Sequence, residues 1–148
     1  MHFFSGDKIM NNKYMNIAIK EAYKCRRTED FPVGCIIEKN GKIISKAHNK
    51  RNKSKLTMDH AEIIAIKKAN KRCKEWRLNE CNMYVTLEPC NMCMSIIKEA
   101  RIDNVYYLIN IKEQKKQYNK VNFEHISLNN LSEKEYHKMI TSFFNKMR

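Results

Sequence analysis

The sequence predicts a single α/β domain built as three layers around a mixed sheet. Three observations predict it. Asn40-Gly41 lies between two apolar runs and is the strongest short hairpin signal in the chain. The later strand patterns alternate with helical ones, which requires parallel pairing beside the antiparallel hairpin. The chain has 148 residues, a length that fits one domain, and 43% hydrophobic content, enough for a core. We expect residues 1–148 to form that one domain, with residues 1–11 as a loose N-terminal extension.

The elements follow in order. Met15, Ala18, Ile19, Ala22 and Tyr23 recur at helical spacing, so residues 12–27 are predicted as a first helix. Phe31-Pro32-Val33-Gly34 breaks it. Residues 33–38 and 42–47 are the two hairpin strands. Residues 49–58 form a polar, basic loop. Asp59 is placed to cap a helix over residues 60–71, with Ala61, Ile64, Ala65 and Lys68 on one stripe. Residues 83–87 are a third strand. Pro89 precedes a helix over residues 90–100, and residues 104–108 are a fourth strand. Residues 111–122 are polar and ambiguous, and residues 123–128 are a weak fifth strand. Ser132 and Glu135 form a capping-box pair ahead of a last helix. Its apolar face holds Tyr136, Met139, Ile140, Phe143 and Met147.

Composition bounds the function. With 29 Lys+Arg against 16 Asp+Glu, the formal charge is +13. An anionic partner is the first expectation, nucleic acid before a membrane surface. No apolar run approaches the ~20 residues of a membrane span. Asp7 and Lys8 interrupt the start, which does not read as a secretory signal. A cytoplasmic protein with reduced thiols is expected. Its six cysteines are then core residues, metal ligands or nucleophiles rather than a disulfide framework.

Two segments carry chemistry: His60-Ala61-Glu62 and Pro89-Cys90-Asn91-Met92-Cys93, each at a predicted helix start. Helix N-termini stabilise thiolates, and the Cys-x-x-Cys spacing lets both sulfurs reach one ion, as in zinc sites. His60, Cys90 and Cys93 make a Cys2His set. A structural zinc site closes with a fourth protein ligand, whereas a catalytic one keeps that position for water. Cys73 and Cys81 are candidate fourth ligands but lack a helpful local spacing, so the open site is favoured. Glu62 at a helix start can take a proton from water beside the metal and pass it to a substrate nitrogen. A thioredoxin-like redox pair at Cys90 and Cys93 is the rival, and it leaves His60 and Glu62 unexplained. Lys50, Arg51, Lys53 and Lys55 crowd the loop ahead of His60 and suit a phosphate backbone. Lys67, Lys68, Lys71, Arg72 and Lys74 are read as favouring their helix C-terminus. Cys25, Cys35, Cys73 and Cys81 are read as small apolar residues or exposed thiols.

His-x-Glu followed by Pro-Cys-x-x-Cys is the signature of zinc-dependent nucleobase deaminases. Together with Phe31-Pro32-Val33-Gly34, Asn49, Trp76-Arg77-Leu78 and the run Tyr84 to Cys93, the chain resembles the bacterial tRNA-specific adenosine deaminases within the cytidine/deoxycytidylate deaminase superfamily. Phe143-Phe144 through Met147-Arg148 resembles their C-terminal helix. The resemblance implies a cytidine-deaminase-like α/β/α fold with a five-stranded sheet, one Zn2+ per chain on His60, Cys90 and Cys93, and Glu62 as proton shuttle. It implies that Asn49 bonds the flipped-out base, that Val33 and Leu87 pack against it, and that Phe144 belongs to a helix bordering the nucleic-acid groove. It further implies a homodimer that converts adenosine to inosine at the wobble position of a tRNA anticodon. The stretch Leu108-Ile109-Asn110-Ile111-Lys112-Glu113-Gln114 departs from the family's Gly- and Ala-rich segment and lacks its Asp. Two alternatives stay open: cytosine deamination in a nucleotide or single-stranded nucleic acid, and an inactive zinc-stabilised RNA-binding module.

Overall fold

Strand residues in this chain alternate between two apolar sets, and the computed structural model shows where each set goes. It describes residues 5–110 and 121–146, with side chains from residue 8. Helix α1 (Ser5–Tyr23) runs into a 3-10 turn (Lys24–Thr28). The hairpin is β1 (Gly34–Lys39) and β2 (Lys42–His48), followed by a four-residue helix α2 (Arg51–Ser54). Then come α3 (Ala61–Cys73), β3 (Cys81–Leu87), α4 (Asn91–Glu99), β4 (Asn104–Ile109), β5 (Asn122–His125) and α5 (Leu131–Lys146). The sheet order is β2-β1-β3-β4-β5. β1 is antiparallel to β2 and β3, while β3–β4 and β4–β5 are parallel. The mixed five-stranded sheet is therefore as predicted.

Cys35, Ile37, Met83, Val85, Val105 and Tyr107 face one way and meet Ala61, Ala65, Ala69 and Ile97 of α3 and α4. Ile36, Tyr84, Tyr106 and Leu108 face the other way and meet Met15, Ala18 and Ile19 of α1 and Tyr136 and Met139 of α5. The period-2 alternation thus buries both faces and makes three layers. Parallel β3 and β4 hold the C-terminal end of β3, where the chain turns into α4, at a fixed place in the sheet.

At the hairpin, Asn40 (φ 52) and Gly41 (φ 79) both take positive φ, as a two-residue type I′ turn requires. At Gly34 the requirement is space. An added Cβ would lie 1.8 Å from the Ala18 carbonyl oxygen and 2.6 Å from the Ala22 nitrogen. Gly34 lets the backbone of α1 approach β1 directly. Gly34→Ala is expected to cost more than about 3 kcal/mol, checked by chemical denaturation.

Several expectations are corrected. The first helix begins at Ser5, and Asn11 accepts a buried hydrogen bond from the Tyr84 hydroxyl, so residues 5–11 belong to α1. Asp59 does not cap α3: the N-cap is His60, whose own side chain makes no capping hydrogen bond. The buried stripe of α3 is Ala61, Ile63, Ala65, Ile66 and Ala69, while Lys68 is exposed and donates to the Lys46 carbonyl. The basic loop contains α2, because buried Asp30 accepts from the backbone N–H groups of Asn52 and Lys53 and from the Thr28 hydroxyl. The start of α5 is capped by Asn130, whose side chain accepts from Glu133 N, rather than by Ser132 with Glu135. The Glu133 carboxylate reaches back to Leu128 N, and Glu135 instead takes the Tyr23 hydroxyl. Residues 111–120, with Lys112, Lys115, Lys116 and Lys120, lie outside the described residues, as do Met147 and Arg148. Among the described residues no helix is long and apolar enough to cross a membrane.

Candidate active site

Two helix starts converge on one point. His60 is the N-cap of α3 and Cys90 the N-cap of α4. Each keeps an extended backbone, and its carbonyl accepts the first helical N–H, from Ile64 and Met94 respectively. Neither side chain caps its own helix, so both are free to face the same space. Cys93, one turn into α4, is fully buried.

The ligand atoms of His60, Cys90 and Cys93 all lie within 4.8 Å of one another. His60 Nδ1 is 3.3 Å from Cys93 Sγ and 3.7 Å from Cys90 Sγ. Tetrahedral zinc with bonds of about 2.3 Å to sulfur and about 2.1 Å to nitrogen needs a sulfur–nitrogen separation of roughly 3.5 Å. The donor set and its spacing therefore fit zinc. Among the described residues neither Cys73 nor Cys81 joins the set. Three protein ligands leave one position for water or substrate, the arrangement of a catalytic site.

Without the metal, hydrogen bonds from Cys93 and His60 hold the Cys90 thiol down at about 4. The same contact with Cys90, together with burial, pushes Cys93 up. Glu62, 4% exposed in the first turn of α3, is pushed up to about 7 by burial. A carboxyl group there exchanges a proton easily near neutrality.

His60, Glu62 and Cys90 open onto a broad cleft, with Cys93 buried beneath them. Val33, Asn49, His60, Glu62, Leu87 and Cys90 line it. Of the four loop cations, Arg51 and Lys55 reach the cleft, whereas Lys50 and Lys53 do not line it. Phe144 does not line it either. It is 54% exposed and packs edge-on against Phe31, while its neighbour Phe143 faces the cleft. Asn49 holds the cleft together: its Nδ2 donates to the Phe31 carbonyl at 3.0 Å, and its Oδ1 accepts from Ala61 N at 2.7 Å. Ala61 is the first residue of α3, so Asn49 satisfies the helix start that Asp59 was expected to cap. One N–H and one lone pair of the amide remain for a ligand.

Sequence reasoning missed other parts of the cleft. Arg26, Lys138 and Lys146 add cations to its rim. The spacing of Lys138, Ser142 and Lys146 at four-residue steps on α5 was a signal that could have found that side. Asp30, which fixes α2 from 22 residues away, left no local signal.

The family profile described as the cytidine and deoxycytidylate deaminase zinc-binding region matches residues 9–109. A tRNA-specific adenosine deaminase of Aquifex aeolicus is 35% identical over 147 residues, covering 91% of this chain and 94% of the relative. A protein of the same name from Streptococcus pyogenes serotype M18 is 44% identical over 94 residues, 64% of this chain, and the match spans only 59% of that relative's length. A solved structure from a study of A-to-I editing by tRNA:A34 deaminases at the wobble position of transfer RNA superposes with a TM-score of 0.71 at 26% identity, covering 77% of this chain and 97% of that one. A matching profile over most of the chain and a relative aligned nearly end to end meet in the same conclusion as the donor set: the chain belongs to the cytidine and deoxycytidylate deaminase family.

Proposed function

We propose that this protein is a zinc-dependent hydrolytic deaminase converting adenosine to inosine at the wobble position of a tRNA anticodon. The observation that carries the proposal is a buried carboxylate, Glu62, beside the donors of His60, Cys90 and Cys93 in a cleft that five cations also line. Both the relative and the solved structure named above support adenosine in tRNA as the substrate. The cleft measures about 1860 Å³, beyond the roughly 300–1,000 Å³ that suits a small molecule, which supports a polymer.

His60, Cys90 and Cys93 would hold the metal. Bound zinc supplies a Lewis acid and brings the pKa of a coordinated water toward about 7. The base leaves the stack and enters between Val33 and Leu87, with the free N–H and lone pair of Asn49 facing its edge. The Glu62 carboxylate takes a proton from the attacking water and passes it to a ring nitrogen. A carbon–oxygen bond forms at C6; Glu62 then takes the proton of the new C6 hydroxyl and delivers it to the amine, the carbon–nitrogen bond breaks to release ammonia, and the C6 carbonyl of inosine forms. Arg26, Arg51, Lys55, Lys138 and Lys146 hold the RNA backbone at the rim. The chain acts in the cytoplasm as a single domain and as a homodimer. Exposed Leu56 and Met58, 56% and 51% accessible, offer apolar surface for a second copy close to His60 in sequence.

A substrate panel tests this reading. An anticodon stem-loop with adenine at the wobble position is expected to yield inosine, and free adenosine to be turned over far less efficiently. With all five rim cations engaged, log affinity should fall against log salt with a slope of roughly −3.5. Uridine from a cytosine stem-loop without inosine from the adenine one contradicts the proposal. So does equal turnover of the free nucleoside.

A further inference from the structure

The pocket walls Val33 and Leu87 are held from behind by a chain of hydrogen bonds. Gly34 N donates to Thr86 Oγ1 at 3.1 Å. Thr86 Oγ1 donates to the Tyr136 hydroxyl at 2.8 Å, and that hydroxyl donates to the Pro32 carbonyl at 2.7 Å. Thr86 and Tyr136 are both fully buried. The chain begins at residue 34 and returns to residue 32, so it closes around Val33. One of its members, Thr86, directly precedes Leu87. It crosses from α5 through the end of β3 to the start of β1, joining parts of the sequence 50 and 104 residues apart. Every hydroxyl in it both gives and accepts, an arrangement whose members strengthen one another in a water-free interior.

We infer that Tyr136 is a positioning residue for deamination: its hydroxyl sets the distance between Val33 and Leu87, and so the seating of the target base over Glu62. This inference rests on the reading that those two side chains flank the base. A phenylalanine at the position keeps the ring packing of Tyr136 and removes the link. It orphans the buried Pro32 carbonyl and frees the Thr86 hydroxyl to turn. A base misplaced by a fraction of an ångström loses alignment for attack, while RNA backbone contacts, which dominate binding of a long substrate, are unaffected.

The test uses full-length zinc-loaded protein and compares Tyr136→Phe with Ile19→Val. The second substitution trims the same layer on α1 away from the cleft. Amide hydrogen exchange at Gly34 should be about tenfold faster in Tyr136→Phe than in Ile19→Val. On the adenine stem-loop, kcat should fall about tenfold with KM within about twofold, and Ile19→Val should change neither. Thr86→Val, which cuts the same chain and keeps the side-chain shape, should reproduce both effects and serves if Tyr136→Phe does not fold. Unchanged Gly34 exchange overturns the positioning role. Faster exchange with unchanged kcat overturns its link to the base. Wild-type protein that turns over no anticodon RNA contradicts the functional reading itself, and Gly34 exchange then still decides whether Tyr136 holds the pocket wall.

Discussion

Glu62→Gln is expected to keep its zinc and lose about 10²–10⁴-fold in kcat, the range attributed to a positioned acid–base group. Glutamine matches the carboxylate in shape and still packs in the buried first turn of α3, so the fold and the three ligands are left in place. What disappears is the ability to take a proton from water and return it to the base. Zinc content and the thermal midpoint should match wild type while inosine formation collapses. A variant that loses zinc would mean Glu62 supports the metal rather than the proton transfer. A variant that stays active would remove Glu62 from the mechanism.

Cys93→Ser should act on the metal instead. Cys93 is fully buried, and its sulfur is the ligand atom nearest His60 Nδ1, at 3.3 Å. Serine is a poor zinc ligand at that depth, so both zinc and activity should be lost together. Metal bound to the folded state alone adds about 4 kcal/mol at a thousandfold excess over its dissociation constant. For a domain of this size that corresponds to roughly 10 °C in the midpoint. Wild type should lose that increment on chelation, while Cys93→Ser should already lack it and ignore the chelator. Unfolding scans with and without chelator, alongside metal analysis, check this. A midpoint that falls equally on chelation in both proteins would contradict the ligand assignment.

The parts of the fold legible in the sequence are those fixed by local chemistry. Asn40-Gly41 specifies its own turn because both residues tolerate positive φ. His60 and Cys90 read as helix starts because the signals that begin a helix are adjacent in sequence, and those two starts are most of the metal-binding arrangement. The remainder depends on partners far along the chain. Helix α2 exists because Asp30 holds its first N–H groups from 22 and 23 residues away. Ala61 is capped by Asn49, 12 residues earlier, which displaced the adjacent Asp59 from that role. At α5 the competition was local: Asn130 begins the helix two residues ahead of Ser132, and Glu133 rather than Glu135 folds back. In α3 the core-facing side is Ala61, Ala65, Ile66 and Ala69 with Ile64 at its edge, so the predicted stripe differs at Lys68, which stays exposed. Within the site, His60, Glu62, Cys90 and Cys93 follow from spacing, whereas the hydroxyl of Tyr136 reads only as one more residue of an apolar helix face.

Of the cations behind the net charge of +13, five meet at the cleft. Arg26 comes from the 3-10 turn, Arg51 and Lys55 from α2 and its C-terminal end, and Lys138 and Lys146 from α5, and they share the cleft lining with Glu29, Asp30, Glu62, Glu88 and Glu135. In the proposed function these cations would orient the RNA backbone.

Hydrolytic deamination of adenine in an anticodon loop puts an oxygen from water onto the base. The adenine stem-loop is incubated with zinc-loaded protein in heavy-oxygen water, digested to nucleosides and weighed by mass spectrometry. The expected product is inosine carrying one heavy oxygen in place of the wobble adenosine, with ammonia released in equal amount. Adenosine recovered unchanged, or inosine formed without the heavy label, would contradict it.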